Sequence, residues 1–126
     1  MKILQVVENA YRATLEEQDD TIIWLTHAMK GAGAELDVLL RGNAVNYVLQ
    51  GQDASGLAYG DWQQTQPPTI DGDLGGLLAK GVNVFYVEDD ADLRGINGAA
   101  KVEGVTPIAN GGLAKLFAEY DQVWHW

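Results

Sequence analysis

The stretch from Val82 to Asp90, which reads VNVFYVEDD, decides the fold class of this chain. Its first six residues are mostly branched or aromatic and predict a buried β-strand, and three acidic residues follow directly. Parallel α/β proteins place their functional side chains where such apolar strands end in polar turns. We therefore expect an α/β protein whose functional groups lie beyond the carboxyl ends of its strands.

The rest of the chain alternates strand-like and helical segments. Further strands are predicted at residues 3–7, 36–40, 102–108 and 122–126. Helices are predicted at residues 21–30, 44–49, 73–80, 91–96 and 111–120, with Asp19 or Asp20 as the N-cap of the first and a long loop at 51–69. This order predicts a three-layer α/β/α fold with a mostly parallel five-stranded sheet, built as one domain over residues 1–126.

Composition excludes several classes of function. Eight basic residues stand against eighteen acidic ones, and the formal net charge of −10 repels nucleic acids and anionic membranes. Hydrophobic residues make up 47% of the chain, enough for a folded core. The sequence shows neither a signal peptide nor an apolar run of membrane-spanning length. We expect a soluble, cytoplasmic protein that binds neither nucleic acid nor membrane.

The chain has no cysteine, which excludes disulfides, thiolate metal sites and a cysteine nucleophile. His27 and His125 lack the spacing of metal ligands. Ser55 is the only serine, and no nucleophile-elbow pattern surrounds it. We therefore predict no catalytic residue, no metal and no cofactor from the motifs alone.

Polar residues follow the predicted strands and define a candidate binding rim. Because the carboxyl ends of parallel strands share one edge of the sheet, we expect a ligand there to meet these residues: Glu8, Asn9, Arg12, Arg41, Asn43, Asn46, Glu88 and Asp89. Arg12 and Arg41 suit a small anion, although pairing with the abundant surface carboxylates is the favoured interpretation. Asp89 or Asp90 has the alternative role of capping the following helix.

Aromatic residues in the long loop and near the last strand are hard to bury in so small a protein. The candidate interface residues are Tyr47, Tyr59, Trp62, Trp124 and Trp126. The alternative is that these rings fold back on the core of their own chain. The first interpretation predicts self-association.

Several segments, in this order and spacing, resemble the DsrE/DsrF-like family of small sulfur-relay proteins. They are the strand and turn at 1–9, the helix ending at Gly31, the strand at 35–40, the motif GNAVN at 42–46, the strand at 82–87 and the motif LRGI at 93–96. The resemblance implies a five-stranded parallel sheet between helices. It also implies assembly as a homo-oligomer, a trimer or hexamer, and sulfur-carrier proteins as partners.

Several members of that family carry a persulfide on a cysteine just after the strand that matches residues 82–87. The matching position here falls near Val87 or Glu88, and neither side chain accepts sulfane sulfur. The resemblance therefore implies a non-catalytic member linked to sulfur metabolism, without cysteine-dependent sulfurtransferase activity.

Two other functions are compatible with the sequence. One is a protein or enzyme that binds a small anion or metabolite at the polar rim. The other is a receiver-like signalling domain, whose acidic cluster the acids at 88–90 resemble. The segment from Val6 to Asn9 is a better-placed match, with Asp53 as the phosphate acceptor, although Asp53 lies in a loop rich in Gly and Gln. A receiver carries its acidic cluster near the N-terminus, whereas only 36 residues follow Asp90 here.

Overall fold

The computed structural model describes residues 1–12, 20–52 and 55–126. The strands in these ranges are β1 (Lys2–Val7), β2 (Glu35–Leu40), β3 (Ala58–Tyr59), β4 (Trp62–Gln63), β5 (Val84–Val87), β6 (Thr106–Ile108) and β7 (Gln122–His125). The helices are α1 (Thr21–Gly31), α2 (Ile70–Ala79), α3 (Glu88–Leu93) and α4 (Leu113–Ala118), with short 3-10 helices at Gly42–Val48 and Asn110–Gly112. Asp19 and Asp53, which two of the sequence predictions invoke, lie outside the described residues.

Five strands form one parallel sheet in the order β6-β5-β2-β1-β7. In this sheet Val7 of β1 lies opposite Leu40 of β2, and Val6 lies opposite His125 of β7. The carboxyl ends of three neighbouring strands therefore meet at the same edge. The predicted α/β fold with a five-stranded parallel sheet is confirmed.

Apolar side chains cover both faces of the sheet, because the central strands are apolar at nearly every position. On one face Val38 and Leu40 pack with residues of α1, α2 and the 3-10 helix Gly42–Val48. On the other face Leu4 and Leu39 pack with Leu116 of α4. The sheet thus forms the middle of three layers, as predicted.

Asp20 is the N-cap of α1, one of the two positions that the sequence predicts. Its side chain is fully buried, and Oδ1 accepts hydrogen bonds from the backbone amides of Ile22 (2.8 Å) and Ile23 (3.1 Å). The second oxygen, Oδ2, accepts a hydrogen bond from the hydroxyl of Tyr47. The carboxylate therefore satisfies two orphan amides of the helix and ties α1 to the 3-10 helix.

Tyr47 is a core residue, and its prediction as an interface residue is wrong. Its side chain is 0% exposed, and its ring meets that of Tyr11 edge-on with centroids 5.2 Å apart. A tyrosine tolerates such burial when its hydroxyl finds partners, here Asp20 and the backbone amide of Tyr11.

Several predicted boundaries differ from the structure. The helix expected at 91–96 begins at Glu88, directly after β5, so the acidic residues form its first turn. The strand expected at 102–108 covers only Thr106–Ile108, and the segment expected to be a loop contains the hairpin of β3 and β4. In the described residues, no helix is long and apolar enough to cross a membrane.

Candidate functional site

The polar residues that follow β1, β2 and β7 come together at the carboxyl edge of the sheet. Glu8 follows β1, Arg41 follows β2, and His125 ends β7. The Nε2 atom of His125 lies 2.6 Å from Oε2 of Glu8, and Nε of Arg41 lies 4.0 Å from Oε1 of the same carboxylate. We call these three residues the rim triad.

The rim triad is accessible to solvent. Its side chains are 57% (His125), 42% (Glu8) and 36% (Arg41) exposed, so a small ligand can reach each of them. Within Arg41 the Nε atom is itself buried and has no hydrogen-bond partner among the described residues. This N–H group is therefore an unsatisfied donor that is shielded from solvent.

Backbone contacts hold Glu8 in place. Its amide donates to the carbonyl of Trp126 (3.1 Å), and its carbonyl accepts from the amide of Ala44 (3.3 Å). Gly42 adopts a positive φ of 56°, and a Cβ atom built there would lie only 3.0 Å from Cγ of Glu8. Glycine is favoured at position 42, because a side chain there would strain the backbone and press against Glu8.

A second group of residues, which we call the rim clamp, joins the 3-10 helix after β2 to α3. Its members are Asn43, Asp90 and Arg94. Nε and Nη2 of Arg94 donate to Oδ1 of Asn43 at 3.1 and 2.8 Å, and Nη1 donates to the carbonyl of Asp90 at 3.1 Å. The carboxylate of Asp90 accepts from the amide of Gly42 at 2.8 Å. The amide oxygen of Asn43 is thus occupied by hydrogen bonds from Arg94 within the protein.

Neither Asp89 nor Asp90 caps α3, which corrects that alternative. The N-cap position is Val87, and both aspartates lie within the first turn. Asp89 instead accepts a hydrogen bond from the amide of Asn110 at 2.6 Å. The two carboxylates therefore connect α3 to the 3-10 helices that follow β2 and β6.

The remaining predicted rim residues occupy separate positions. Asn9 is exposed beside Glu8, and Glu88 is exposed at the start of α3. The side chain of Asn46 donates to the carbonyl of Asn43 at 2.9 Å. Arg12 lies beside the start of α1, where its carbonyl accepts from the hydroxyl of Thr21 at 3.4 Å. Among the predicted residues, Glu8 therefore lies close to Arg41. Asn43 and Asp90 are linked through Arg94.

Two residues at the rim, His125 and Arg94, were not among the rim residues predicted from the sequence. His125 lies in a strand, and only the parallel direction of β7 shows that this strand ends beside Glu8. Arg94 belongs to the motif at 93–96 and is one turn beyond Asp90, so a backbone contact with that residue was foreseeable from helix spacing.

Tyr86 lies in β5, behind the rim. Burial raises the pKa of its hydroxyl above the ordinary value, and the nearby charge of Glu88 raises that pKa further. The phenol is therefore uncharged at neutral pH. In the described ranges, no group of three or more histidine or carboxylate side chains is placed to hold a metal ion.

The hairpin of β3 and β4 exposes apolar side chains to solvent. Tyr59 is 69% and Trp62 38% exposed, and their rings lie with centroids 6.2 Å apart. The amide of Gln64 closes this hairpin by donating to the carbonyl of Leu57 (2.8 Å), itself an exposed residue. We call residues 57–64 the aromatic hairpin.

Two of the predicted interface residues, Trp124 and Trp126, contact their own chain. The indole of Trp126 donates to the buried Oε1 of Gln5 (2.8 Å), while Nε2 of Gln5 donates to the hydroxyl of Thr26 (3.0 Å). Trp124 is half-buried, and its indole donates to the side chain of Gln122 at 2.8 Å. Both indoles therefore form hydrogen bonds within their own chain, although Trp126 remains 37% exposed.

Comparison with solved structures shows a DsrE-like fold. The YchN protein from E. coli superposes with a TM-score of 0.76 at 24% sequence identity, over 99% of this chain and 98% of that one. A conserved protein of unknown function from Bacteroides thetaiotaomicron has a TM-score of 0.70 at 12% identity, covering 99% and 94% of the two chains. A protein of unknown function from Methanobacterium thermoautotrophicum has a TM-score of 0.61 at 13% identity, covering 98% and 97%. No family model and no curated protein matches the sequence.

Loss of the rim clamp is expected to lower the stability of the folded protein. Replacing Arg94 with lysine keeps the charge but removes the planar fork that contacts Asn43 and Asp90 together. We expect the free energy of unfolding, measured in urea, to fall by about 1–2 kcal/mol. Lys115→Ala, at an exposed position of α4, is the control and should change that free energy by less than about 0.5 kcal/mol. An Arg94→Lys variant as stable as the unmodified protein would show that the clamp is dispensable.

Proposed function

We propose that the chain is a non-catalytic, self-associating protein of DsrE-like fold that binds partners of sulfur metabolism, such as sulfur-carrier proteins, and does not itself carry sulfur. One observation carries this proposal. At the carboxyl end of β5, where the resembling family holds its persulfide cysteine, the chain has Val87 followed by Glu88, and the full sequence has no cysteine.

The chemistry at this position supports binding without covalent transfer. Val87 is buried, and Glu88 presents an exposed carboxylate at the start of α3. A carboxylate is a poor nucleophile towards sulfane sulfur, and its charge repels an approaching persulfide anion. Any sulfur that reaches the protein therefore remains on the partner.

The aromatic hairpin supports self-association. A two-stranded hairpin outside a larger sheet is marginally stable in water unless another surface covers it. Tyr59 and Trp62 nevertheless stand exposed on this hairpin, together with Leu57. Exposed groups of tyrosine, tryptophan and leucine are typical of protein interfaces. Assembly as a trimer or hexamer follows from the resemblance alone.

Substitution of the aromatic hairpin tests this proposal. We expect the double variant Tyr59→Ser/Trp62→Ser to have a smaller mass in solution than the unmodified protein, measured by size-exclusion chromatography with light scattering. Trp24→Ser is the matched control, because Trp24 is 48% exposed on α1, outside the hairpin. An assembly whose mass is the same in the double variant would exclude this hairpin as the contact surface.

A further inference from the structure

We propose that Asn97 is a site of spontaneous modification, where the backbone nitrogen of Gly98 displaces ammonia from the Asn97 side chain and water then leaves aspartate or isoaspartate. The chain has two Asn–Gly pairs, at 97–98 and at 110–111. Their surroundings differ in the folded protein, and they favour the reaction at the first pair. The reaction uses only residues of one chain and water, so it is independent of self-association and of any sulfur-carrying partner.

The first Asn–Gly pair occupies a turn shortly after α3. The amide of Ala99 donates to the carbonyl of Ile96 at 3.0 Å, so Asn97 and Gly98 are the two central residues of a β-turn. Gly98 is exposed, and a Cβ atom built there meets no atom within 4 Å. Among the described residues, the amide of Gly98 donates no hydrogen bond. The nitrogen that attacks is therefore not held by another group of the protein.

Lys101 places a positive charge on the peptide group that reacts. Its Nζ donates to the carbonyl of Asn97 at 2.7 Å and to that of Ala99 at 3.1 Å. The carbonyl of Asn97 and the N–H of Gly98 belong to the same peptide group. When this N–H loses its proton, the negative charge spreads onto the carbonyl oxygen, where the ammonium group already lies. A cation fixed where charge develops lowers the barrier to that step.

The side chain of Asn97 supplies the carbon that is attacked and the leaving group. Its Nδ2 donates to Oδ1 of Asp92, and this contact engages the leaving nitrogen rather than Cγ. A bond forms between the nitrogen of Gly98 and Cγ, the bond from Cγ to Nδ2 breaks, and the nitrogen gains a proton from water and leaves as ammonia. Water then opens the cyclic imide at either carbonyl. No group is oxidised or reduced in these steps.

The second Asn–Gly pair provides an internal control. Asn110 begins a 3-10 helix, and its carbonyl accepts from the uncharged backbone amide of Leu113. The amide of Asn110 donates to the carboxylate of Asp89 at 2.6 Å. A negative charge beside this backbone opposes the formation of an anion on the next nitrogen. The two pairs are therefore chemically alike but lie next to charges of opposite sign.

Deamidation at position 97 would change how the following segment is held. The amide of Val102 donates to the carbonyl of Val48 at 2.8 Å, which fastens this segment to the 3-10 helix Gly42–Val48. A carboxylate at position 97 would face that of Asp92 and replace a hydrogen bond with repulsion between like charges. Isoaspartate also lengthens the backbone by one carbon. The modification therefore weakens the attachment of residues 97–102.

Incubation of the full-length protein at mildly alkaline pH, followed by trypsin digestion and mass spectrometry, tests the proposal. Trypsin separates the two asparagines into residues 95–101 and 102–115. In the folded protein, acid should accumulate at position 97 at least about threefold faster than at position 110. In urea the two rates should become similar. Equal rates in the folded protein, no conversion at Asn97, or the same advantage of Asn97 in urea would overturn the proposal.

Two variants of Lys101 test whether its charge promotes the reaction. Lys101→Gln keeps a hydrogen-bond donor without the charge and should slow conversion at Asn97 by about three- to fivefold, whereas Lys101→Arg should retain most of the rate. In Lys101→Gln the two asparagines share one tryptic peptide, and fragmentation of that peptide locates the acid. Asn110 should keep its slow rate in both variants, as expected of a folded chain. Unchanged conversion at Asn97 in Lys101→Gln would contradict the role of the charge.

Discussion

Replacing Asp20 with alanine is expected to lower the free energy of unfolding by about 3–5 kcal/mol, the combined effect of losing a helix cap and a buried charged hydrogen bond. The side chain is fully buried, and its two oxygens serve Ile22 and Ile23 at the start of α1 and the hydroxyl of Tyr47. Alanine leaves all of these donors without their acceptor. Urea unfolding followed by tryptophan fluorescence measures the loss.

Controls separate the cap from the contact with Tyr47. Asp20→Asn keeps an acceptor for α1 and should cost less, and Glu103→Ala removes an exposed carboxylate and should cost less than about 0.5 kcal/mol. Tyr47→Phe leaves the Asp20 carboxylate short of a partner, and the double variant should lose less than the sum of the single losses. Strictly additive losses would contradict a direct interaction between Asp20 and Tyr47.

A steep loss of stability at alkaline pH is the second large expected effect. Burial raises the pKa of Tyr47 and of Tyr120 well above the ordinary value, and hydrogen bonds from their hydroxyls to Asp20 and Asp37 raise it further. The unfolded chain releases these protons above about pH 10, whereas the folded protein retains them. Stability is therefore complete below that pH and falls as the pH rises towards the folded-state pKa values.

Urea unfolding between neutral pH and pH 11 measures this effect. Each tyrosine contributes at most about 1.4 kcal/mol per pH unit to the decline. Tyr47→Phe and Tyr120→Phe should each be less stable than the unmodified protein near neutral pH and should show a shallower alkaline decline. Curves parallel to that of the unmodified protein would show that these phenols do not couple folding to pH.

The fold was predictable because its signals are local. Near-continuous apolar strands that alternate with helices indicate a parallel sheet covered on both faces, and the structure has that sheet. Asp20 was a candidate cap because aspartate directly before an apolar helix satisfies the first amides. Tyr47 was predicted at an interface, whereas it lies in the core. Its hydrogen-bond partner Asp20 lies 27 residues earlier in the sequence, and no local pattern reveals such a contact.

The location of the rim was predictable from the topology of the sheet, whereas the side-chain contacts within the rim were not. Parallel strands end at one edge, so residues such as Glu8 and Arg41 were expected there. The contact of Glu8 with His125 joins residues 117 apart and requires β7 to lie beside β1. The contact of Asn43 with Arg94 likewise depends on α3 packing against the 3-10 helix after β2. Sheet order is a tertiary property that the spacing of residues does not encode.

The molar mass of the unmodified protein in solution tests most directly the claim that this thiol-free chain acts as an assembled subunit. Size-exclusion chromatography with light scattering should give three or six times the 13.7 kDa of one chain. A mass of one chain across the micromolar range would contradict self-association and remove the aromatic hairpin as an assembly surface.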